Sequence, residues 1–229
     1  MINFRLLALA GTMALSLAGC GDNRIAMPAD LAASTEALRI SGMGIGRRGD
    51  FDFAGGRGTF TRGADRISAF SDFLDRYSGA GTFRFTGADG VIEGACRYRA
   101  EDVNQGIFSV RTRPFIYQCR LGHNGRDAGE LVIEEEQGMR AAALGRDGRH
   151  GFIVYRGTRL DIHSIHQMAT PTLPTPQPLG YRFLADGRAV GAVDLNGAKT
   201  VYAPPSGQAR EAVYAGSLAL SVLWDPASL

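Results

Sequence analysis

Asp161, His163 and His166 form the densest group of side chains in this sequence that can ligate a metal or exchange protons near neutral pH. Imidazole and carboxylate are the ligand types that zinc takes. The segment around them reads as a strand, in which Asp161 and His163 share one face and His166 opposes them, so the three converge only if a bulge intervenes. Zinc would also need a third or fourth ligand. His123 and His150 fall in loop-like stretches whose proximity to this group is not readable from the chain. These residues are weak metal candidates, and hydrogen-bonded or surface histidines are the simpler reading. Gly44, Gly46 and Gly49 spell GxGxxG, but GDFDFAGGRG follows where a helix would have to begin, so the run does not make a pyrophosphate cradle. GxSxG, HExxH, CxxCH and P-loop patterns do not occur, and the Ser, His and Asp residues have no spacing that identifies a hydrolase. No catalytic residue and no cofactor is assigned on this basis.

The amino-terminal end carries a second kind of chemistry. A charge at Arg5 precedes an apolar run from Leu6 to Leu17, which leads into Leu17-Ala18-Gly19-Cys20. That is the layout of a secretory signal, and the run is shorter than the roughly 20 residues a spanning helix needs. The LAGC tetrapeptide resembles the lipobox of bacterial lipoproteins. The resemblance implies cleavage before Cys20, acylation at that cysteine, and a partner in the membrane reached through the acyl chains. One chain binds marginally and two or three hold firmly, at about 0.8 kcal/mol per buried CH₂. In that family an aspartate next to the lipidated cysteine favours the inner membrane. Here Gly21 intervenes before Asp22, which favours the outer membrane, with the body on the periplasmic side.

In such an oxidising compartment Cys96 and Cys119 are the remaining thiols, and both sit on the apolar faces of strand-like segments. A disulfide is the favoured reading. It requires neighbouring strands, because strands separated by a third lie near 10 Å apart, beyond a disulfide's reach. If Ile107 to Arg113 forms a separate strand between them in a meander, two buried thiols result instead.

The elements that must position these residues are mainly β. Strands are expected over Thr82 to Thr86, Val91 to Arg99, Ile107 to Arg113, Phe115 to Leu121, Glu130 to Glu135, Gly151 to Tyr155 and Arg159 to His166. Later ones are Gly180 to Ala185, Ala189 to Leu195 and Thr200 to Ala203. Turn dipeptides such as Asp89-Gly90, Asp147-Gly148, Asp186-Gly187 and Asn196-Gly197 punctuate them, the signature of antiparallel hairpins. Asp65 to Tyr77 places Ile67, Phe70, Phe73, Leu74 and Tyr77 at helical spacing, which leaves a short early helix or a strand open. The proline-rich TPTLPTPQP, Thr170 to Pro178, reads as an extended surface connection.

From Ala212 to Trp224 the polar side chains are Tyr214, Ser217 and Ser221 alone, with Ser206 placed to cap the start and Asp225-Pro226 to end the helix. A helix apolar on all sides must be buried, and this one is too short to cross a bilayer. The fold class is therefore an antiparallel β-barrel or sandwich around a buried apolar C-terminal helix. Residues 1–19 read as a signal peptide, 20–34 as a flexible tether and 35–229 as one domain.

An antiparallel sheet closing on a C-terminal apolar helix resembles the tubby-like architecture of tubby domains, phospholipid scramblases and their plant relatives. The segment YRFLADGRAVGAVDLNG, Tyr181 to Gly197, looks like their strand, Asp-Gly turn, strand unit. The resemblance implies a lipid-handling protein, but their phosphoinositide-binding residues have no counterpart here and no site is carried over. The 25 basic and 23 acidic side chains nearly cancel and are interspersed, which excludes a nucleic-acid surface. The sequence thus points to a membrane-anchored envelope lipoprotein with a binding or structural role. A lipid-binding or scramblase-like protein is the alternative, and a metal-dependent periplasmic enzyme a second.

Overall fold

The computed structural model describes residues 24–69, 74–105, 108–136, 147–170 and 173–224. Cys20 and the leader lie outside the described residues. Twelve antiparallel strands form one sheet. In chain order they are β1 (Glu36–Arg39), β2 (Arg48–Phe53), β3 (Gly56–Ala69), β4 (Leu74–Gly87), β5 (Gly90–Gln105), β6 (Phe108–His123), β7 (Arg126–Glu135), β8 (Arg149–Tyr155), β9 (Thr158–Ile165), β10 (Gly180–Ala185), β11 (Arg188–Asp194) and β12 (Thr200–Ala203). Helix α1 is Ala29–Ser34 and helix α2 is Gln208–Ser221.

From β2 to β12 each strand pairs with its neighbour in sequence, and β1 returns to pair with β12, so the two sheet edges are β1 and β2. They meet just past β1, where Ser41 and Asp52 exchange backbone hydrogen bonds of 2.9 Å in both directions. The result is a nearly closed barrel. The hairpin turns that hold it are Asn-Gly-like even where the first residue differs. Ala54-Gly55, Asn124-Gly125, Arg156-Gly157 and Asp186-Gly187 all have both φ angles positive. That is the mirror-image turn whose twist matches a right-handed hairpin.

Alternation sets the two surfaces. On β4 and β5, Phe83, Phe85, Ile92, Cys96 and Tyr98 are buried, whereas Arg84, Arg97 and Arg99 are exposed. On these two strands the outer face therefore carries charge and the inner face the apolar core.

An eight-stranded barrel is about filled by its own side chains, and twelve strands leave a wider lumen. Helix α2 fills it. Every residue from Ala212 to Ser221 is buried, and the helix touches β4, β5, β8, β9, β11 and β12, strands on opposite sides of the barrel. Two glycines allow the close approach. A Cβ on Gly216 would lie 2.6 Å from the Phe183 ring, and one on Gly191 would lie 2.7 Å from Val213. The helix runs from Gln208, one turn earlier than expected, with Gly207 rather than Ser206 at its N-cap. It ends at Ser221 before Asp225-Pro226 is reached.

One open alternative resolves to strand, and two other expectations change. Asp65 to Tyr77 is not a helix in its described parts: residues 65–69 end β3 and 74–77 begin β4, paired from Asp65↔Ser78 to Ala69↔Leu74. Its apolar spacing suited a helix, but thirteen continuous ladder pairs between β3 and β4 override the weak periodicity. The expected tether 20–34 is packed from Ile25 onward. Ile25 and Leu31 are each 1% exposed and cover Ala192 and Tyr202 on the outer wall, and Ile25 N–H donates to Asp194 Oδ2 at 3.0 Å. The separate strands expected at Ile107 to Arg113 and Phe115 to Leu121 are one strand, β6. Pro114, which lacks a ladder donor, sits where the β5–β6 register shifts. Cys96 and Cys119 are therefore direct cross-strand partners, bonded to each other with Cα atoms 4.0 Å apart.

Two expectations follow. Leu220, 1% exposed on α2, should not tolerate a carboxylate. Leu220→Asp is expected to cost about 3 kcal/mol or more and to unfold the barrel, read by circular dichroism and thermal melting. An unchanged melting temperature would remove α2 from the core. For the disulfide, intact mass should rise by two hydrogens on reduction, with roughly 3 kcal/mol of stability lost as a 23-residue loop is released.

Candidate binding cleft at one mouth of the barrel

The lumen helix divides the barrel into two mouths. At the N-terminal end of α2 a cavity of about 470 Å³ is lined by Phe85, Ile92, His123, Tyr155, Glu211 and Tyr214. His123 Nδ1 and the Tyr155 hydroxyl share a 2.9 Å hydrogen bond. Burial, then the Glu211 charge, push the Tyr155 hydroxyl up to about 12, partly opposed by Arg156. A phenol held neutral this firmly is a poor base at physiological pH, and its pairing with His123 braces the wall between β6 and β8.

At the C-terminal end of α2 a cavity of about 590 Å³ has a different character. Met43, Ile45, Leu195, Leu220, Leu223 and Trp224 make it apolar, and Arg62 and Lys199 make it cationic. Among the described residues its lining holds no histidine and no carboxylate. Arg62 lies on β3 with the same inward parity as Phe60, and its guanidinium reaches the carbonyls of Gly46 at 3.0 Å, of Ser221 at 3.3 Å, and of Gly44. It thus ties the 42–47 loop to the last turn of α2, where the helix dipole is negative. Lys199, the sole lysine of the chain, donates to Met43 O at 3.0 Å. Burial lowers the Arg62 guanidinium from its ordinary range; burial and then the Arg62 charge lower the Lys199 amine. Neither cation has a carboxylate partner among the described residues.

Two further features face this mouth. The Ser221 side chain is 1% exposed, and its hydroxyl has no hydrogen-bond partner among the described residues. Trp224 lies under two guanidinium groups, Arg62 at 5.3 Å and Arg47 at 5.8 Å from the ring centroid. Deeper in the same end, Arg149 is 1% exposed and held by several partners: it bonds Tyr181 Oη at 3.3 Å and Asp147 Oδ2 at 3.2 Å, and stacks 4.1 Å from the Phe115 ring centroid. Tyr117, whose hydroxyl burial pushes well up, donates to Ala219 O at 2.5 Å and locks the helix end to β6.

The metal candidates are not brought together. Asp161 and His163 are exposed on the outer wall, Asp161 3.5 Å from Arg159 and His163 opposite His150 across β8 and β9. His166 is buried past the end of β9, with one ring nitrogen 2.9 Å from Ser164 Oγ and the other 2.9 Å from Thr175 O. Among the described residues no group of three or more His, Cys, Asp or Glu side chains is placed to hold a metal. The GxGxxG glycines lie in the loop and first turn of chain before and into β2, with no helix after them. Sequence reasoning passed over Arg62, Lys199, Trp224 and Arg149. Inward parity with Phe60 marks Arg62, and parity with Ile153 and Tyr155 marks Arg149. Nothing comparable marks Lys199, which is in a loop.

Comparison of the chain with protein-family models, with curated proteins and with solved structures finds no match.

The neutral phenols of the lumen have a measurable consequence. A group whose folded pKa is raised stabilises the fold below its ordinary pKa and loses that contribution as pH climbs toward the folded value. For Tyr155 the window runs from about 10 to about 12. Stability should fall through that window, and part of the tyrosinate absorbance should appear only as the barrel unfolds. A full tyrosinate titration at pH 10 with the fold intact would show that Tyr155 and Tyr117 are not shielded.

Proposed function

We propose that the protein is an envelope lipoprotein, held at the periplasmic face of a membrane, with the outer favoured, through acyl chains on Cys20. Its barrel binds an anionic amphiphile in the cleft at the C-terminal end of α2. The role is binding and not catalysis, and it requires no cofactor. The observation that carries it is the composition of that cleft: two desolvated cations without a carboxylate partner among the described residues, a buried Ser221 hydroxyl still open to an acceptor, and walls that are otherwise apolar. Burying a cation without a counter-charge is costly, and an anionic group bound between Arg62 and Lys199 would offset that cost while an alkyl chain covered Leu220, Leu223 and Trp224.

The Leu17-Ala18-Gly19-Cys20 tetrapeptide behind its charged and apolar leader supports the anchor. Twelve antiparallel strands around an apolar C-terminal helix, with the Gly180–Ala185 and Arg188–Asp194 hairpin closed at Asp186-Gly187, support the likeness to tubby-like and scramblase proteins. No residue role is taken from those proteins.

Calorimetry with dihexanoyl phosphatidic acid, and with dihexanoyl phosphatidylcholine as the zwitterionic control, tests the cleft. The anionic lipid should bind and the control should not. Lys199→Gln, which leaves the carbonyl of Met43 a donor, should weaken binding about tenfold, equivalent to roughly 1.4 kcal/mol for one charge-assisted bond. Equal binding of both lipids, or no effect of Lys199→Gln in a folded variant, would overturn the reading. For the anchor, Cys20→Ser should accumulate as precursor or soluble protein; maturation and membrane fractionation like the wild type would remove it.

A further inference from the structure

The barrel's orientation is built into the path of its first described residues. Arg24 and Ile25 run alongside the loop that joins β9 to β10. Ala169 N–H donates to Arg24 O at 2.7 Å, Ala26 N–H to Gln167 O at 2.8 Å, and Ile25 N–H to Asp194 Oδ2 at 3.0 Å. Residues 165–169 and 194 all belong to the end of the barrel where α2 terminates, because β9 and β11 finish there and β12 starts there. The chain therefore joins the body at the cleft mouth and not at the opposite one. Only four residue steps separate Cys20 from Arg24, and a fully extended chain covers at most about 14 Å in that distance. A lipid on Cys20 holds this mouth within that distance of the bilayer.

The same end presents the two large hydrophobic side chains that the described surface leaves open, Ile45 at 96% exposure and Leu173 at 88%. Ile45 is on the cleft rim, and Leu173 is in the β9–β10 loop, whose last proline, Pro178, also lines the cleft. Elsewhere on the outer wall the larger apolar side chains of β6 to β8, Ile116, Val132, Phe152 and Val154, are only partly exposed. Beside Ile45 stand Arg47 and Trp224, 5.8 Å from guanidinium carbon to ring centroid. Aromatic rings and cationic side chains next to exposed aliphatics suit the headgroup boundary of a bilayer.

We infer that this mouth is a membrane-contact face: Ile45 and Leu173 insert into the outer part of the anchoring bilayer, and the Arg62–Lys199 cleft opens onto its anionic lipids. The inference rests on the lipoprotein reading for its distance limit. It assigns a reason to exposed residues that packing does not explain, and it makes the ligand of the cleft a lipid drawn from the bilayer and not a soluble anion.

Trp224 is the only tryptophan in the chain, so its emission reports on this mouth alone. The acylated mature protein is reconstituted into vesicles of phosphatidylethanolamine and phosphatidylglycerol carrying a nitroxide on the headgroup. The wild type should lose most of its tryptophan emission. The variant carrying Ile45→Asp and Leu173→Asp, both at exposed positions, should sediment with the vesicles through its acyl chains yet regain most of that emission. Vesicle-bound wild type with unquenched Trp224, or a double variant as quenched as the wild type, would overturn the contact face while leaving the anchor intact. Protein with Cys20 present that stays in the supernatant would overturn the anchor itself, and with it the distance argument.

Discussion

An apolar helix with no polar face has to be surrounded, and this requirement organises the rest of the molecule. Ten successive buried residues of α2 cannot be covered by one sheet face. A closed wall of about a dozen strands is the simplest structure that covers a helix on every side, since a helix with its side chains is about 10 Å across. The inward residues of the wall follow from the same demand. Phe183 and Ile153 pack where Gly216 of α2 lets them approach, Val213 of α2 packs against Gly191 of the wall, and Tyr117 bonds Ala219 O to fix the depth of the helix. The disulfide between Cys96 and Cys119 staples two strands of this wall at a point already in register.

Closure has a cost that the chain meets at one seam and one patch. The seam between β1 and β2 is a single backbone bridge among the described residues, Ser41 with Asp52. Arg62 reinforces it from inside by gripping the carbonyls of Gly44 and Gly46. The patch is on the outside, where Ala192, Tyr202 and Ile165 would expose apolar surface, and residues 25–34 lie over it. Because the segment that covers the patch is also the one that leads to Cys20, the anchor proposed above couples packing to a membrane address. On that proposal one mouth of the barrel, with its two cations, points toward the lipid.

Hairpins were the most legible part of the fold. Gly180 to Ala185 and Thr200 to Ala203 match β10 and β12 residue for residue, because alternation and a positive-φ turn dipeptide are local signals. Burial of the C-terminal helix was equally readable from composition. What could not be read depended on long-range pairing. Pro114 looked like a strand break, and only a register shift against β5 accommodates it inside β6. That one ambiguity made the cysteine pairing uncertain. Residues 25–34 looked like a tether because small side chains and Pro28 dominate them, yet Ile25 and Leu31 suffice when a matching patch waits on β11 and β12. The site was less legible than the fold. Histidines and carboxylates drew attention as chemistry-bearing types, whereas the cleft uses Arg62, Lys199 and Trp224, residues from three distant segments that the closed barrel alone brings together.

If α2 is the element around which the wall closes, its amides can exchange with solvent only when the whole barrel opens. Native-state hydrogen exchange measures this directly. The amides of Ala215, Leu218 and Ala219 in α2 should be protected to the same free energy as those of Cys96 and Tyr117 in the wall, and that value should equal the global unfolding free energy from denaturant melts. Helix amides that exchange several kcal/mol more easily than the strand amides would mean that α2 leaves the lumen while the barrel persists, and would contradict the account.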